Sequence, residues 1–79
     1  IKMNLSKYNT CFKEVFGVKE DILNEYFKFG TGVWNSFAHM ELIAKLEDTF
    51  DILLNTEDIT HFGNYENGKR ILMKYGINI

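Results

Sequence analysis

The chain has 79 residues, of which 46% are hydrophobic and 25% are charged, and its formal net charge is −2. This length predicts one small domain and leaves no room for a catalytic core with a separate substrate domain. A domain of this size buries only about 60% of the surface of its unfolded chain, so its stability has little surplus. Residues 35–79 carry four basic and seven acidic residues. The acidic second half argues against binding of nucleic acid.

The composition also indicates the class of fold and the cellular location. The absence of proline and the scarcity of Gly-rich hairpin turns favour helices. Cys11 is the only cysteine, so no internal disulfide can form and a reducing, cytoplasmic location is expected. No signal-peptide pattern and no apolar run near the roughly 20 residues of a membrane span is present, which predicts a soluble protein. The abundance of Lys, Asn, Ile and Phe is compatible with an AT-rich bacterial genome.

The first predicted helix covers residues 4–16, where apolar residues recur at the spacing of one buried helical stripe. Asn4 is the predicted N-cap, and Gly17 is predicted to end the helix. The stripe consists of Leu5, Tyr8, Phe12, Val15 and Phe16.

Residues 18–33 keep no helical period for long, and Gly30-Thr31-Gly32 ends the segment with flexible backbone. The prediction is a long ordered loop with one helical turn at Lys19 to Leu23. Loops of more than about 12 to 15 residues in a compact domain are usually functional or disordered, and this one has too many aromatic residues for disorder. We therefore expect it to pack back onto the helices.

The central predicted helix runs from Ser36 to Phe50. Its apolar stripe consists of Met40, Leu42, Ile43, Leu46 and Phe50. The opposite face carries Glu41, Lys45, Glu47 and Asp48. Such a face is either simply solvated or able to attract a basic patch on a partner.

The remaining chain predicts two further helices. Residues 51–55 form a short extended connector, and Thr56 caps a short helix that ends at Thr60 or His61. Asn64 caps a last helix over residues 65–75. The expected fold is all-α, a four-helix bundle with three longer helices, one short helix and a long first loop, in a single domain over residues 1–79.

Ser36 is the main candidate for a functional residue. A hydroxyl at a helix N-terminus lies beside unpaired N–H groups and the positive end of the helix dipole, which favour an attached anion such as a phosphate ester. The alternative is that Ser36 is an N-cap and nothing more, since serine is one of the preferred capping residues.

The segment from Trp34 to Leu72 resembles the acyl carrier protein family. That family carries Asp-Ser-Leu at the start of its second helix, and the matching residues here are Asn35-Ser36-Phe37. The helix from Met40 to Ile52 is similar to the family's helix of apolar and Glu positions that ends in Glu-x-Phe-x-Ile. Glu57-Asp58-Ile59, a turn and a closing helix then follow in the family's order. The N-terminal third matches by its layout of a helix and a long loop.

The resemblance implies that a phosphopantetheinyl transferase attaches 4′-phosphopantetheine from coenzyme A to Ser36, with Asn35, Phe37 and Trp34 beside the attachment site. The arm's thiol would hold an acyl, aminoacyl or peptidyl group as a thioester, for fatty acid, polyketide or specialised biosynthesis. The chain would then be no enzyme but a freestanding, monomeric carrier between a loading ligase and a downstream acyltransferase or synthase. The implied partner-binding face consists of Phe37, Met40, Glu41, Ala44, Glu47 and Asp48.

Two residues depart from the family pattern. Asn35 replaces the usual Asp and removes a negative charge beside the modification site, where that acid is thought to help the transferase. Phe37 replaces Leu with a larger apolar side chain, which implies a changed fit to partners. The strongly acidic surface of fatty-acid carriers is also missing, which favours a dedicated set of partners.

Other functions fit the residues less well. The main alternative is a carrier-like helical module that binds a partner without modification, because Asn35 replaces the acid that the carrier family has beside its modified serine. A serine hydrolase that pairs Ser36 with His39 lacks a G-x-S-x-G elbow and an evident third residue. Cys11, His39 and His61 are too scattered for a zinc signature, with His39 expected to face solvent or a partner and His61 expected to end its helix. The acidic helix after Ser36 does not suit a helix-turn-helix DNA reader.

Overall fold

The structure, a computed structural model, describes residues 2–79 and leaves only Ile1 outside. Its helices are α1 (Lys2–Phe16), α2 (Ser36–Phe50), α3 (Thr56–Thr60) and α4 (Tyr65–Lys74), with one 3₁₀ turn at Glu20–Ile22. Within the described chain the only β-type pairing is an isolated bridge between Lys28 and Asn64. The all-α prediction is confirmed, with three longer helices, one short helix and a long first loop.

Helix α1 already includes Lys2, so the prediction that Asn4 is its N-cap is wrong. The Asn4 side chain instead donates a hydrogen bond to the Asn78 carbonyl oxygen (3.0 Å), which joins the start of α1 to the end of the chain. Gly17 ends α1 as predicted. Its φ of +66° lies in the left-handed region that glycine adopts without strain.

The loop between α1 and α2 packs back onto the helices, as expected from its aromatic residues. Phe27 and Trp34 from this loop are buried. Two antiparallel backbone hydrogen bonds join the loop to the connection between α3 and α4: Phe29 N–H donates to Gly63 O, and Tyr65 N–H donates to Phe27 O, both at 2.9 Å. The loop is therefore fixed beside the N-terminus of α4, and its single helical turn is the 3₁₀ turn.

The three helices after the loop are capped by asparagine in the same way. The side-chain oxygens of Asn35, Asn55 and Asn64 accept from the backbone N–H three residues further along, at 2.7–2.9 Å. Each cap satisfies one of the amide groups that a helix N-terminus leaves without an intrahelical partner. The prediction for Asn64 is confirmed, whereas the predicted cap Thr56 is already the first helical residue and Asn55 takes its place.

The core is dominated by aromatic rings. Phe12 lies at its centre, with five other rings at centroid distances of 4.9–6.1 Å. Those rings belong to Tyr8, Phe16, Phe27, Trp34 and Tyr65. Aromatic pairs in such tilted and edge-to-face arrangements stabilise a fold by about 0.5–1.5 kcal/mol each beyond their buried area. The first loop thus contributes two of the rings that hold α1 in place.

The buried face of α2 differs from the predicted stripe at its N-terminal end. Leu42, Ile43 and Leu46 are buried as predicted, but Met40 is 54% exposed. Ala38 and His39 occupy the core face of the first turns instead. The burial of His39 contradicts the expectation that it faces solvent.

Helix α3 has only five residues and is held largely by polar contacts to the end of α4. Asp58 accepts hydrogen bonds from Lys74 Nζ and from the Tyr75 hydroxyl, both at 2.7 Å. The same hydroxyl accepts from Asn55 N–H at 2.9 Å. The hydrogen bonds from Lys74 and Tyr75 lower the pKa of Asp58. These contacts fix α3 against the end of α4, and α3 also borders the site described next.

Candidate functional site at the start of helix α2

Ser36 is the first residue of α2, and its side chain is exposed. The N-cap of this helix is Asn35, whose Oδ1 accepts from Ala38 N–H at 2.9 Å. The alternative that Ser36 is the cap is therefore wrong. Since capping does not require the Ser36 hydroxyl, this group lies on the surface at the point where the helix begins.

The N-terminus of α2 favours a negative charge. No acidic residue lies in its first turn, so no side chain of that turn offsets the positive end of the helix dipole. The amide groups of the first turn other than that of Ala38 have no intrahelical acceptor and no capping side chain. An anion near such a terminus is stabilised by about 0.3–1 kcal/mol.

A groove of about 420 Å³ begins beside Ser36 and runs between α2 and α3. Phe29, Met40 and Ile59 give it apolar walls. Its lining is completed by Ser36, His39, Thr60 and Gly63. The groove was not predicted, because its walls come from three segments that are distant in sequence. The one signal in the sequence was Phe29, an aromatic residue directly before the flexible Gly30-Thr31-Gly32.

His39 forms the inner boundary of this groove. Its Nδ1 accepts a hydrogen bond from the Trp34 indole N–H at 3.0 Å, and its Nε2–H donates to the Ile59 carbonyl oxygen at 2.8 Å. Because an indole N–H can only donate and a carbonyl oxygen can only accept, the two partners select the neutral tautomer with the proton on Nε2. The imidazole thereby joins the first loop, α2 and α3.

The same hydrogen bonds argue against the serine hydrolase alternative. A catalytic histidine must direct a ring nitrogen at the serine hydroxyl. Both ring nitrogens of His39 are engaged, by Trp34 and by Ile59. His39 is therefore not placed to act as the base for Ser36.

Trp34 is a core residue, with no exposed surface. Its ring packs on Phe16, Phe27 and His39 at centroid distances of 5.1–6.0 Å. Trp34, which was expected to lie beside the attachment site, is thus packed within the core and offers no exposed surface to a group attached to Ser36. Phe37, by contrast, is 75% exposed beside Ser36.

The predicted partner-binding residues lie together on the surface of α2, with one exception. Phe37, Met40, Glu41, Ala44 and Asp48 are all exposed, and apart from the adjacent pair Met40-Glu41 they follow one another at helical spacings of three and four. Glu47 is half-buried, and its Oε2 accepts from Leu54 N–H at 2.9 Å. The Glu47 carboxylate thus fixes the connector after α2 and is less available to a partner than the other two acids.

The histidines and the cysteine do not form a metal site. Cys11 is buried and lies 3.4 Å from the Thr49 hydroxyl, and burial raises the pKa of its thiol. His61 ends α3 as predicted, and its Nδ1–H donates to Glu57 O at 3.0 Å. Over residues 2–79, no three His, Cys, Asp or Glu side chains are grouped so that they could hold a metal ion.

The fold and the site together define a small helical bundle with an exposed serine at a helix N-terminus and an apolar groove beside it. No family model, curated protein or solved structure matches the chain. None of the helices in residues 2–79 has the length and apolar character needed to cross a membrane.

Proposed function

We propose that the chain is a carrier protein that holds an acyl, aminoacyl or peptidyl group on a 4′-phosphopantetheine arm attached to Ser36. The observation that carries the proposal is the position of Ser36: exposed, first in α2, and released from capping by Asn35. When bound, the arm supplies a thiol that holds the cargo as a thioester.

The residues around Ser36 suit the attachment of a phosphodiester. The hydroxyl is accessible to a transferase, and the positive end of the α2 dipole favours the negative charge that the attachment adds. The groove beside Ser36 offers apolar walls at Phe29, Met40 and Ile59 to the cargo. The chain therefore has what a carrier needs: a nucleophile on the surface, support for an anion, and a place that shields an apolar group from water.

The surface of α2 suits short-lived contacts with enzymes. Phe37 and Met40 are exposed apolar side chains, and Glu41 and Asp48 add negative charge along the same face. Weak, transient complexes use small interfaces with polar rims. The partners that this proposal requires are a phosphopantetheinyl transferase, a loading ligase and a downstream acyltransferase or synthase, each with a basic patch around an apolar contact.

Modification with coenzyme A and a broad-specificity phosphopantetheinyl transferase tests the proposal. Intact mass should increase by one phosphopantetheine in the wild type, and Ser36→Ala should gain nothing. Asn35→Asp is the matched variant, because aspartate also caps a helix and restores the acid of the carrier family. We expect it to be modified faster than the wild type.

A competent control carrier that is modified in the same assay, while neither the wild type nor Asn35→Asp gains mass, would refute the proposal. The main alternative, an unmodified interaction module, predicts that protein isolated from its native host has the mass of the bare chain. The carrier proposal predicts a phosphopantetheine or acyl adduct on that protein.

A further inference from the structure

The His39 side chain lies between the groove beside Ser36 and the aromatic core. His39 lines the groove on one side and packs on the other side against Trp34 and Phe62, at centroid distances of 6.0 Å for both rings. Trp34 and Phe62 have no exposed surface. The imidazole is therefore a partition between the groove and the aromatic core.

The partition is held in place from two sides. The Trp34 indole N–H fixes Nδ1, and the Ile59 carbonyl oxygen fixes Nε2. Phe29 packs on the groove side of the imidazole, edge to face, at 5.3 Å. Rotation of the ring out of the groove would break both hydrogen bonds, and the Trp34 indole N–H, which is fully buried, would be costly to leave unpaired.

We propose that His39 is a specificity-determining residue that limits the length of the acyl chain the carrier can shield. This inference rests on the proposed carrier function. A short unbranched chain fits along the apolar walls between α2 and α3, and a longer chain meets the imidazole and must leave its remaining carbons in water. The preferred cargo is thus a short acyl group that lies along the surface of the bundle and does not enter its core.

An alkyl chain attached directly at position 36 tests the length limit of the groove without the phosphopantetheine arm. Ser36→Cys is coupled through a mixed disulfide to n-alkyl methanethiosulfonates from ethyl to dodecyl. The unmutated chain treated in the same way should gain no adduct, because Cys11 is only 2% exposed. The folding equilibrium constant of each adduct is then measured by urea denaturation.

The stability of the Ser36→Cys adducts should increase with the length of the alkyl chain up to a limiting length and then stay constant. Each methylene that enters the groove should raise the folding constant about fourfold, the factor that corresponds to about 0.8 kcal/mol per buried CH₂. Beyond the limit, further carbons should add nothing. When His39→Ala is combined with Ser36→Cys, the protein without an alkyl chain should be less stable. Its folding constant should nevertheless keep rising to longer alkyl chains, because the His39 ring no longer blocks them.

His39→Gln provides the conservative control. Its amide can accept from Trp34 and donate to Ile59, so the limit should remain at the wild-type chain length even if overall stability changes. A merely structural role for His39 would lower the stability of both variants and leave the limit unchanged in His39→Ala, which would overturn the proposal. Stability that never rises with chain length would also overturn it.

A second measurement covers the case in which His39→Ala does not fold. In the Ser36→Cys protein at the limiting length, the terminal methyl should show nuclear Overhauser contacts to the His39 ring, and the indole N–H resonance of Trp34, the only tryptophan, should shift. A methyl without contact to His39 at any length overturns the proposal. Since thiol coupling uses no transferase, failure of the length limit and failure of the carrier function are separate results.

Discussion

Two sides of the bundle use apolar residues in opposite ways. Where α1 meets α4, apolar groups are packed without exposed surface: Phe12 lies within a cluster of rings, and Gly68 of α4 lies directly against Tyr8 and Phe62. At the start of α2, apolar side chains are exposed to water. Phe37 and Met40 are mostly exposed around Ser36.

This difference separates stability from function. The α1–α4 side has the dense packing that stabilises a small domain. The Ser36 side keeps the apolar side chains of Phe37 and Met40 on α2 exposed to water, which is unfavourable for the stability of a chain of 79 residues. Contiguous exposed apolar surface usually marks a site of interaction. Substitutions should therefore affect stability on one side and binding on the other.

The largest expected effect comes from the same substitution on both sides. Phe12→Ala should lower the free energy of unfolding by about 3–5 kcal/mol, because it leaves a cavity among five rings. Phe37→Ala, on the exposed face of α2, should change it by no more than about 0.5 kcal/mol. Urea denaturation followed by far-UV circular dichroism measures both. Similar losses from the two substitutions would remove the distinction between the two sides.

Gly68→Ala tests how tightly the α1–α4 side is packed. An added Cβ would lie 2.2 Å from the Tyr8 hydroxyl oxygen and 2.3 Å from the Phe62 ring. Alanine is the better helix former by about 1 kcal/mol, but overpacking costs about 1–3 kcal/mol and occasionally more. We expect a net loss of up to about 2 kcal/mol in thermal or urea denaturation.

Arg70→Ala is the control for this substitution, because Arg70 is exposed on the same helix and should matter by less than about 0.5 kcal/mol. If Gly68→Ala raised stability instead, the α1–α4 contact would be looser than the distances indicate.

The sequence predicted the elements well because helical periodicity, capping residues and glycine stops are local signals. The phase of the buried stripe was wrong at the start of α2, where Met40 is exposed and His39 is buried. A polar imidazole is an unfavourable core residue unless it has partners, and its partners, Trp34 and the Ile59 carbonyl, become neighbours only in the folded chain. The exposed position of Ser36 could be predicted because it depends on one helix alone. The groove could not be predicted because it depends on three segments that are distant in sequence.

The smallest expected effect concerns the polar attachment of α3. Hydrogen bonds from Lys74 and then Tyr75 lower the pKa of Asp58 below its unfolded value of about 3.9. A lowered pKa in the folded state means that the carboxylate contributes stability above the unfolded pKa, and that this contribution is lost as the pH falls through the folded pKa. Asp58→Asn should therefore be less stable than the wild type at neutral pH, by less than the loss from Gly68→Ala. The difference between the two proteins should shrink below about pH 4.

Hydrogen exchange locates this effect in one of the two sides. At neutral pH, Asp58→Asn should speed exchange of the α3 amides, including that of Ile59, more than exchange of amides in the middle of α1. The α1 amides should accelerate only by the loss of global stability, whereas α3 also opens locally because local opening follows the contacts of each segment. Tyr75→Phe is the matched variant, since it removes the hydroxyl that donates to Asp58 and accepts from Asn55 N–H but leaves the Lys74 hydrogen bond in place. Its effect on α3 should be in the same direction. Equal acceleration in α1 and α3 would mean that the two sides unfold as one unit. In that case α3, which forms one wall of the Ser36 groove, would open only together with the aromatic core.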